Sequence, residues 1–186
     1  MTDRREPPRP TAQQRTTAAQ DDADGLYGFS ARLPDGTVQH LAEYRGRLTL
    51  VVNTASRCGF REQFRGLEEL HRTYGPRGFT VLAFPCDQFL HQEPGEDEEV
   101  EEHCRSRWDL TFPIFAKVDV NGPSSHPVFA WLRGEGGGFM GGRIAWNFTK
   151  FLVGADGHVI RRYAPPIPPS RIARRIEVEL DSLPPR

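Results

Sequence analysis

Leu48-Thr49-Leu50-Val51-Val52-Asn53-Thr54 and Phe79-Thr80-Val81-Leu82-Ala83-Phe84 bracket the stretch of this chain that decides its fold. Both are short, almost wholly apolar runs without alternation, the pattern of strands buried on both faces. Between them Phe60, Phe64, Leu67, Leu70 and Tyr74 recur at helical spacing, and Gly75-Pro76 stops the run. Strand, helix and strand over this length predict a βαβ unit with parallel pairing and a right-handed crossover.

Working outward, Leu26 to Leu41 alternates loosely around Pro34-Asp35-Gly36, which predicts an N-terminal β-hairpin. Downstream, Val100, Cys104 and Trp108 lie four apart within the acidic segment Glu96 to Arg107, an amphipathic helix. Phe112 to Val120 reads as a strand and His126 to Leu132 as a short helix. Residues 134 to 142 hold six glycines and predict a loop. Phe148 to Val153 and His158 to Tyr163 flank Gly154-Ala155-Asp156-Gly157, a second hairpin. After the stiff Pro165 to Pro169, Ser170 is placed to cap a last helix with Ile172, Ile176 and Leu180 on its inner face. The sum is an α/β chain with a central mixed β-sheet flanked by helices. Residues 1–24 contain no Leu, Ile, Val or Phe and predict a disordered N-terminal tail; residues 25–186 form one domain.

The composition excludes several classes. Lys plus Arg is 24 against 25 Asp plus Glu, so no basic excess points to nucleic acid. No run approaches the roughly 18 apolar residues of a membrane span, and no apolar h-region opens the chain. Three cysteines are too few for a disulfide scaffold and suit a reducing compartment, the cytoplasm.

Cys58 ends the first buried strand and precedes the helix, beside Arg57. The helix dipole, free N–H groups and the guanidinium would all favour its thiolate. Burial as a small core hydrophobe is the competing reading. Cys104, 46 positions later, reads from spacing alone as core packing, and Cys86 ends the second strand. No Cys-x-x-Cys and no histidine pattern indicates a metal.

Three longer motifs then carry a resemblance. Asn53-Thr54-Ala55-Ser56-Arg57-Cys58-Gly59-Phe60 resembles the nucleophile segment of the glutathione peroxidase family. Phe84-Pro85-Cys86-Asp87-Gln88-Phe89 with Gln92-Glu93-Pro94-Gly95 resembles its second signature, and Trp146-Asn147-Phe148-Thr149-Lys150-Phe151-Leu152 its third. Lys117 to Gly122 fits between them, and the likeness runs from about Leu26 to about Pro169. It implies a thioredoxin-like fold over residues 25–186 and a peroxidase that reduces hydrogen peroxide and organic or lipid hydroperoxides without a bound cofactor.

By motif position the resemblance makes Cys58 the nucleophile and Gln92, Trp146 and Asn147 its neutral hydrogen-bond donors. It matches Cys104 to the resolving cysteine of the cysteine-type branch, in which thioredoxin is the usual electron donor. Cys58 would pass through a sulfenic acid to a Cys58–Cys104 disulfide. Direct use of glutathione, or a redox-sensing relay to a partner protein, are the alternatives. Asp87 departs from the family's usual Asn, and Arg61-Glu62-Gln63 from its usual Thr-Pro-Gln. The insertion that tetrameric relatives carry before Trp146 is absent, which implies a monomer. The crowded Glu96, Asp97, Glu98, Glu99, Glu101 and Glu102 predict a weak helix around Cys104, able to unwind for disulfide formation.

Overall fold

The computed structural model describes residues 24–136 and 142–184. The predicted tail therefore lies outside the described residues except for Asp24, as does most of the glycine-rich loop.

A 3₁₀ turn, Gly25–Gly28, leads into a hairpin of β1 (Ser30–Arg32) and β2 (Val38–His40). β3 (Leu48–Thr54), helix α1 (Gln63–Tyr74) and β4 (Phe79–Pro85) follow, then α2 (Asp97–Trp108) and α3 (Pro127–Glu135). β5 (Lys150–Val153), β6 (Val159–Tyr163) and α4 (Ala173–Asp181) complete the chain. The main sheet has the order β4-β3-β5-β6. β3 pairs parallel with β4, from Leu48 opposite Phe79 to Thr54 opposite Pro85, and antiparallel with β5. This is the mixed sheet read from the sequence, and every residue of β3 and β4 is buried.

Two cores sit on the two faces of the sheet, because side chains alternate along each strand. Leu48, Leu50 and Val52 point to one face, packed by Phe64, Leu67 and Leu70 of α1, Val100, Cys104 and Trp108 of α2, and Ile176 and Leu180 of α4. Val51, Leu82, Phe84 and Phe151 point to the other, packed by Val128, Phe129 and Leu132 of α3 and by Phe29, Ala31, Leu41 and Tyr44 around the hairpin. Cys58 and Cys104 share the first core, whereas Cys86 belongs to the second.

Three expectations are corrected. Residues 112–120 form no strand beyond a single bridge of Ile114 with Ala83. Pro113 has no N–H, and the ladder to β4 is broken: Phe115 and Val118 donate to the Ala83 and Pro85 carbonyls, both at 2.9 Å, but Ala116 between them turns to the Arg32 carbonyl at 2.8 Å. Ser170 does not cap α4; it lies in a 3₁₀ turn, Pro169–Arg171, and Ile172 stands at the N-cap without a side-chain bond. The acidic residues of α2 are also used rather than merely crowded. Glu96 and Glu99 form a reciprocal capping box, Asp97 and Glu98 fill the first turn where the helix dipole favours anions, and Glu101 pairs with Arg105 at 2.7 Å.

Glu68 joins α1 to the chain leaving α2. Its buried carboxylate accepts from the Thr111 N–H at 2.8 Å, the Thr111 hydroxyl at 2.6 Å and the Arg72 guanidinium at 2.5 Å. Burial alone would raise its pKa, but the Thr111 bonds and Arg72 outweigh it and hold the carboxyl below its usual range. A lowered folded-state pKa contributes stability that is complete above the unfolded value, about 4.3, and fades as pH falls through the folded one. Glu68→Gln is expected to cost about 1–3 kcal/mol in urea unfolding at pH 7. The difference from wild type should shrink below about pH 4; a gap that stays constant there would contradict this role.

Candidate active site

Three segments converge at the C-terminal ends of β3 and β4, where the loops that leave parallel strands commonly carry function. The first is the turn after β3 with Cys58. The second is the loop after β4 with Gln92. The third is the turn before β5 with Trp146 and Asn147.

Asn53, fully buried near the end of β3, joins the first and third segments. Its carbonyl accepts from the Phe148 N–H at 2.6 Å and its side-chain oxygen from the Thr149 N–H at 3.1 Å. Its Nδ2 donates to the Trp146 carbonyl at 3.3 Å and to Asn147 Oδ1 at 3.5 Å. These bonds hold Phe148 in the left-handed region, at φ 64°, so the chain reverses there before β5 begins.

Glu93 joins the first and second segments. Its carboxylate accepts from the Ser56 N–H at 2.8 Å and from the Ser56 hydroxyl at 2.5 Å, and the neighbouring Gln92 carbonyl accepts from the Arg57 N–H at 3.1 Å. The residue is buried, and desolvation raises its pKa despite the Ser56 bonds. Asp87 holds the same loop from within. One carboxylate oxygen accepts from the Glu93 N–H at 2.9 Å and the other meets His91 Nδ1 at 3.1 Å. Burial pushes the Asp87 carboxyl up, yet these two partners leave it below the usual range. Leu90 and His91 both take positive φ, 55° and 49°, so the loop is tightly wound. The departure from the family's Asn thus places a charge that pins the turn carrying Gln92.

Asn147 and Gln92 touch directly: Asn147 Nδ2 donates to Gln92 Oε1 at 3.3 Å. With its oxygen engaged, Gln92 keeps its Nε2 hydrogens uncommitted among the described residues. Trp146 is half-buried against Phe89, ring centroids 5.6 Å apart, and its indole N–H is likewise uncommitted among those residues.

Cys58 is fully buried, and its sulfur accepts from the Phe60 N–H at 3.4 Å. The expectation that it opens the helix is corrected. α1 starts at Gln63, and residues 58 to 64 first wind through tight turns, with Arg61 N–H to the Cys58 carbonyl at 3.0 Å and Gln63 N–H to that of Phe60 at 2.9 Å. A local amide, rather than the end of a helix, faces the sulfur. All three cysteines are free thiols, and burial pushes Cys104 up to about 12 and Cys86 to about 11. Among the described residues no cluster of His, Cys, Asp and Glu could hold a metal ion, and no helix is long and apolar enough to cross a membrane.

The structure therefore joins Asn147 to Gln92, ties Trp146 and Asn147 to Asn53, holds the Cys58 turn to the Gln92 loop through Ser56 and Arg57, and sets Cys104 in the same core as Cys58. Gln88 is kept apart: its amide spans Val120 and Asn121, accepting from both N–H groups and donating to the Asn121 carbonyl at 3.0 Å. Sequence reasoning missed Asn53, Glu93 and Lys150 as supports. Lys150 is fully buried, and its ammonium donates to the carbonyls of Phe148 at 2.8 Å, Ile167 at 2.8 Å and Pro165 at 3.3 Å. Burial pulls its pKa down to about 7, while the three carbonyls favour the protonated form. Asn53 and Lys150 each left a signal, a polar residue inside a buried apolar run; Glu93 left none.

Comparison with known proteins agrees with this arrangement. Residues 26–133 match the family model described as Glutathione peroxidase. A hydroperoxy fatty acid reductase of Synechocystis sp. is 49% identical, covering 82% of this chain and 94% of that one. A glutathione peroxidase of Lactococcus lactis is 44% identical, covering 82% and 97%. Among solved structures, T. cruzi GPX1 superposes with a TM-score of 0.71 at 32% identity, covering 84% of this chain and 97% of that one. A thiol:disulfide interchange protein of the thioredoxin family from Chlorobium tepidum superposes at 0.59 with 20% identity, covering 82% and 92%, a likeness of fold. With the fold thioredoxin-like and these relatives spanning nearly their full length, the chain belongs to the glutathione peroxidase family and is a peroxidase.

Proposed function

We propose that Cys58 attacks the terminal oxygen of a hydroperoxide as its thiolate. The O–O bond breaks, the sulfur becomes a sulfenic acid, and the departing alkoxide takes a proton to leave as the alcohol, or as water from hydrogen peroxide. The observation that carries this reading is the Asn147–Gln92 bond at 3.3 Å. It leaves the Gln92 amide hydrogens available for an oxygen that gains charge, as neutral donors that do not trap the product. Trp146 supplies a second such donor. The name of the Synechocystis relative supports organic hydroperoxides, those of fatty acids included, among the substrates.

In the second step the Cys104 thiol displaces hydroxide from the sulfenic acid, giving a Cys58–Cys104 disulfide and water. A reduced dithiol protein, thioredoxin, then opens the disulfide by exchange. The protein works as a monomer in the reducing cytoplasm. Cys104 lies inside a capped helix and is only 2% exposed, so this step requires α2 to open. The helix holds a weakness that opening relieves, since the buried Trp108 indole N–H has no partner among the described residues.

The decisive assay compares thioredoxin and glutathione as donors, side by side, in steady-state peroxide consumption. Cys58→Ser should abolish turnover with both. Cys104→Ser should keep one burst of peroxide reduction and lose turnover with thioredoxin. Gln92→Ala should slow the burst by about 10²-fold. Full turnover of Cys58→Ser would sink the nucleophile assignment, and glutathione turnover unaffected in Cys104→Ser would favour direct glutathione use. Slow turnover with either donor would favour a relay role. Light scattering at micromolar concentration should give the 21.0 kDa of one chain. Amide exchange across residues 97–107 should rise in the oxidised protein; equal protection in both redox states would refute the opening of α2.

A further inference from the structure

A chain with a net charge of -1 gathers five arginines around one groove. Arg161 and Arg162 of β6 stand on one side, and Arg171, Arg174 and Arg175 at and within the start of α4 on the other, around a cavity of about 750 Å³. Its apolar wall includes Ile167 and Val178, which are 38% and 55% exposed.

Most of this charge has a local use. Arg162 donates to the carbonyls of Gly142 and Arg143, both at 2.7 Å. Arg175 pairs with Glu179 at 2.6 Å, and Arg161 lies over the Tyr163 ring at 5.5 Å. The guanidinium groups of Arg171 and Arg174 have neither an ion pair nor a hydrogen bond among the described residues, and both residues are exposed. Like charges brought together without partners cost stability, which is the mark of a face waiting for an anion. A second observation comes from the same groove. Tyr163 is only 8% exposed and lines it, and its buried hydroxyl has no partner among the described residues.

The groove also leads towards the loop after β4 that carries Gln92. It shares Arg162 and Ala164 with a larger cavity of about 880 Å³ that extends past Ala145 and Thr149 to Phe89, the ring packed on Trp146. The exposed lining of that larger cavity is mainly apolar. A mainly apolar channel that starts at Phe89 and ends at the Arg171 and Arg174 guanidinium groups fits a molecule with an apolar body and an anionic head. We propose that Arg171 and Arg174 bind the carboxylate of a free fatty acid hydroperoxide whose chain lies in the channel, making them specificity determinants for that substrate. The proposal rests on the peroxidase reading for its catalytic consequence, but not for binding. Guanidinium forks suit a carboxylate geometrically, and their attraction to it weakens with salt.

The test uses the Arg171→Ser/Arg174→Ser double variant, whose changes lie at the surface. Steady-state kinetics are measured with linoleic acid hydroperoxide, its methyl ester and hydrogen peroxide, the lipids kept below micelle-forming concentrations. The expected result is a KM for the free acid raised about fivefold with kcat unchanged, since exposed charge pairs are individually weak. The ester and hydrogen peroxide should be unaffected, and added salt should raise the wild-type KM for the acid alone. An equal shift for acid and ester, no shift at all, or a raised KM for the protein donor instead would overturn the proposal, the last by assigning this face to the donor. Binding of non-oxidised linoleate by calorimetry provides a readout independent of turnover. Wild type should bind it and the double variant bind it about fivefold more weakly; no binding by wild type overturns the groove assignment. Failure to reduce any hydroperoxide would instead strike the peroxidase reading.

Discussion

The bonds of Asn53 to the Trp146–Thr149 turn are the constraint on which the site depends. β3 is buried along its whole length between β4 and β5, so its end can move little. Asn53 sits near that end, and its side chain and main chain together hold Trp146, Asn147, Phe148 and Thr149. Cys58 follows five residues later on the same strand exit. One buried amide thus ties the strand that leads to the thiol to a turn more than ninety positions further on. A buried polar side chain of this kind is tolerated because every bond is made, and it is specific for the same reason.

The second loop depends on charge rather than on the sheet. Glu93 grips Ser56, Asp87 grips Glu93, and two residues in left-handed geometry lie between. Such a loop is costly to form and is kept because each carboxylate oxygen has a donor. Its product is the orientation of Gln92, whose side-chain oxygen is occupied by Asn147. Catalytic power in such a site comes from donors set in place before the reaction rather than during it. An aromatic column carries the packing onward: Phe148 meets Phe64 at 5.2 Å, and Phe64 meets Trp108 at 4.7 Å. The turn before β5, α1 and α2 therefore share one core. Movement of α2 in a redox cycle would be felt at the site through these rings. Cys86, behind the sheet, is outside that core.

Much of this was legible in the sequence, and for a definite reason. Strand and helix identity follow from the period of apolar residues, which is local. β3 and β4 were read within one residue of their bounds, and Val100, Cys104 and Trp108 were placed correctly on a buried face. The family resemblance was legible because its motifs are contiguous, and it named Cys58, Gln92, Trp146 and Asn147. The misreadings share a cause as well. Residues 112–120 are apolar enough for a strand, but strand pairing is decided by where the donors go, and Pro113 has none. The acidic run of α2 looked repulsive because a sequence shows spacing of charge without showing which residues cap the helix.

The sequence by itself determined the fold class, the parallel pairing of the βαβ core and the candidates for the chemistry, because each is written in local period or contiguous motif. Only the tertiary structure decided how those residues are held. Glu93 on Ser56 and Lys150 on the carbonyls of residues 165 and 167 join segments apart in the chain, and Arg171 and Arg174 share a groove with Arg161 and Arg162. Contacts of that kind are made by the sheet bringing loop ends together, and no periodicity records them.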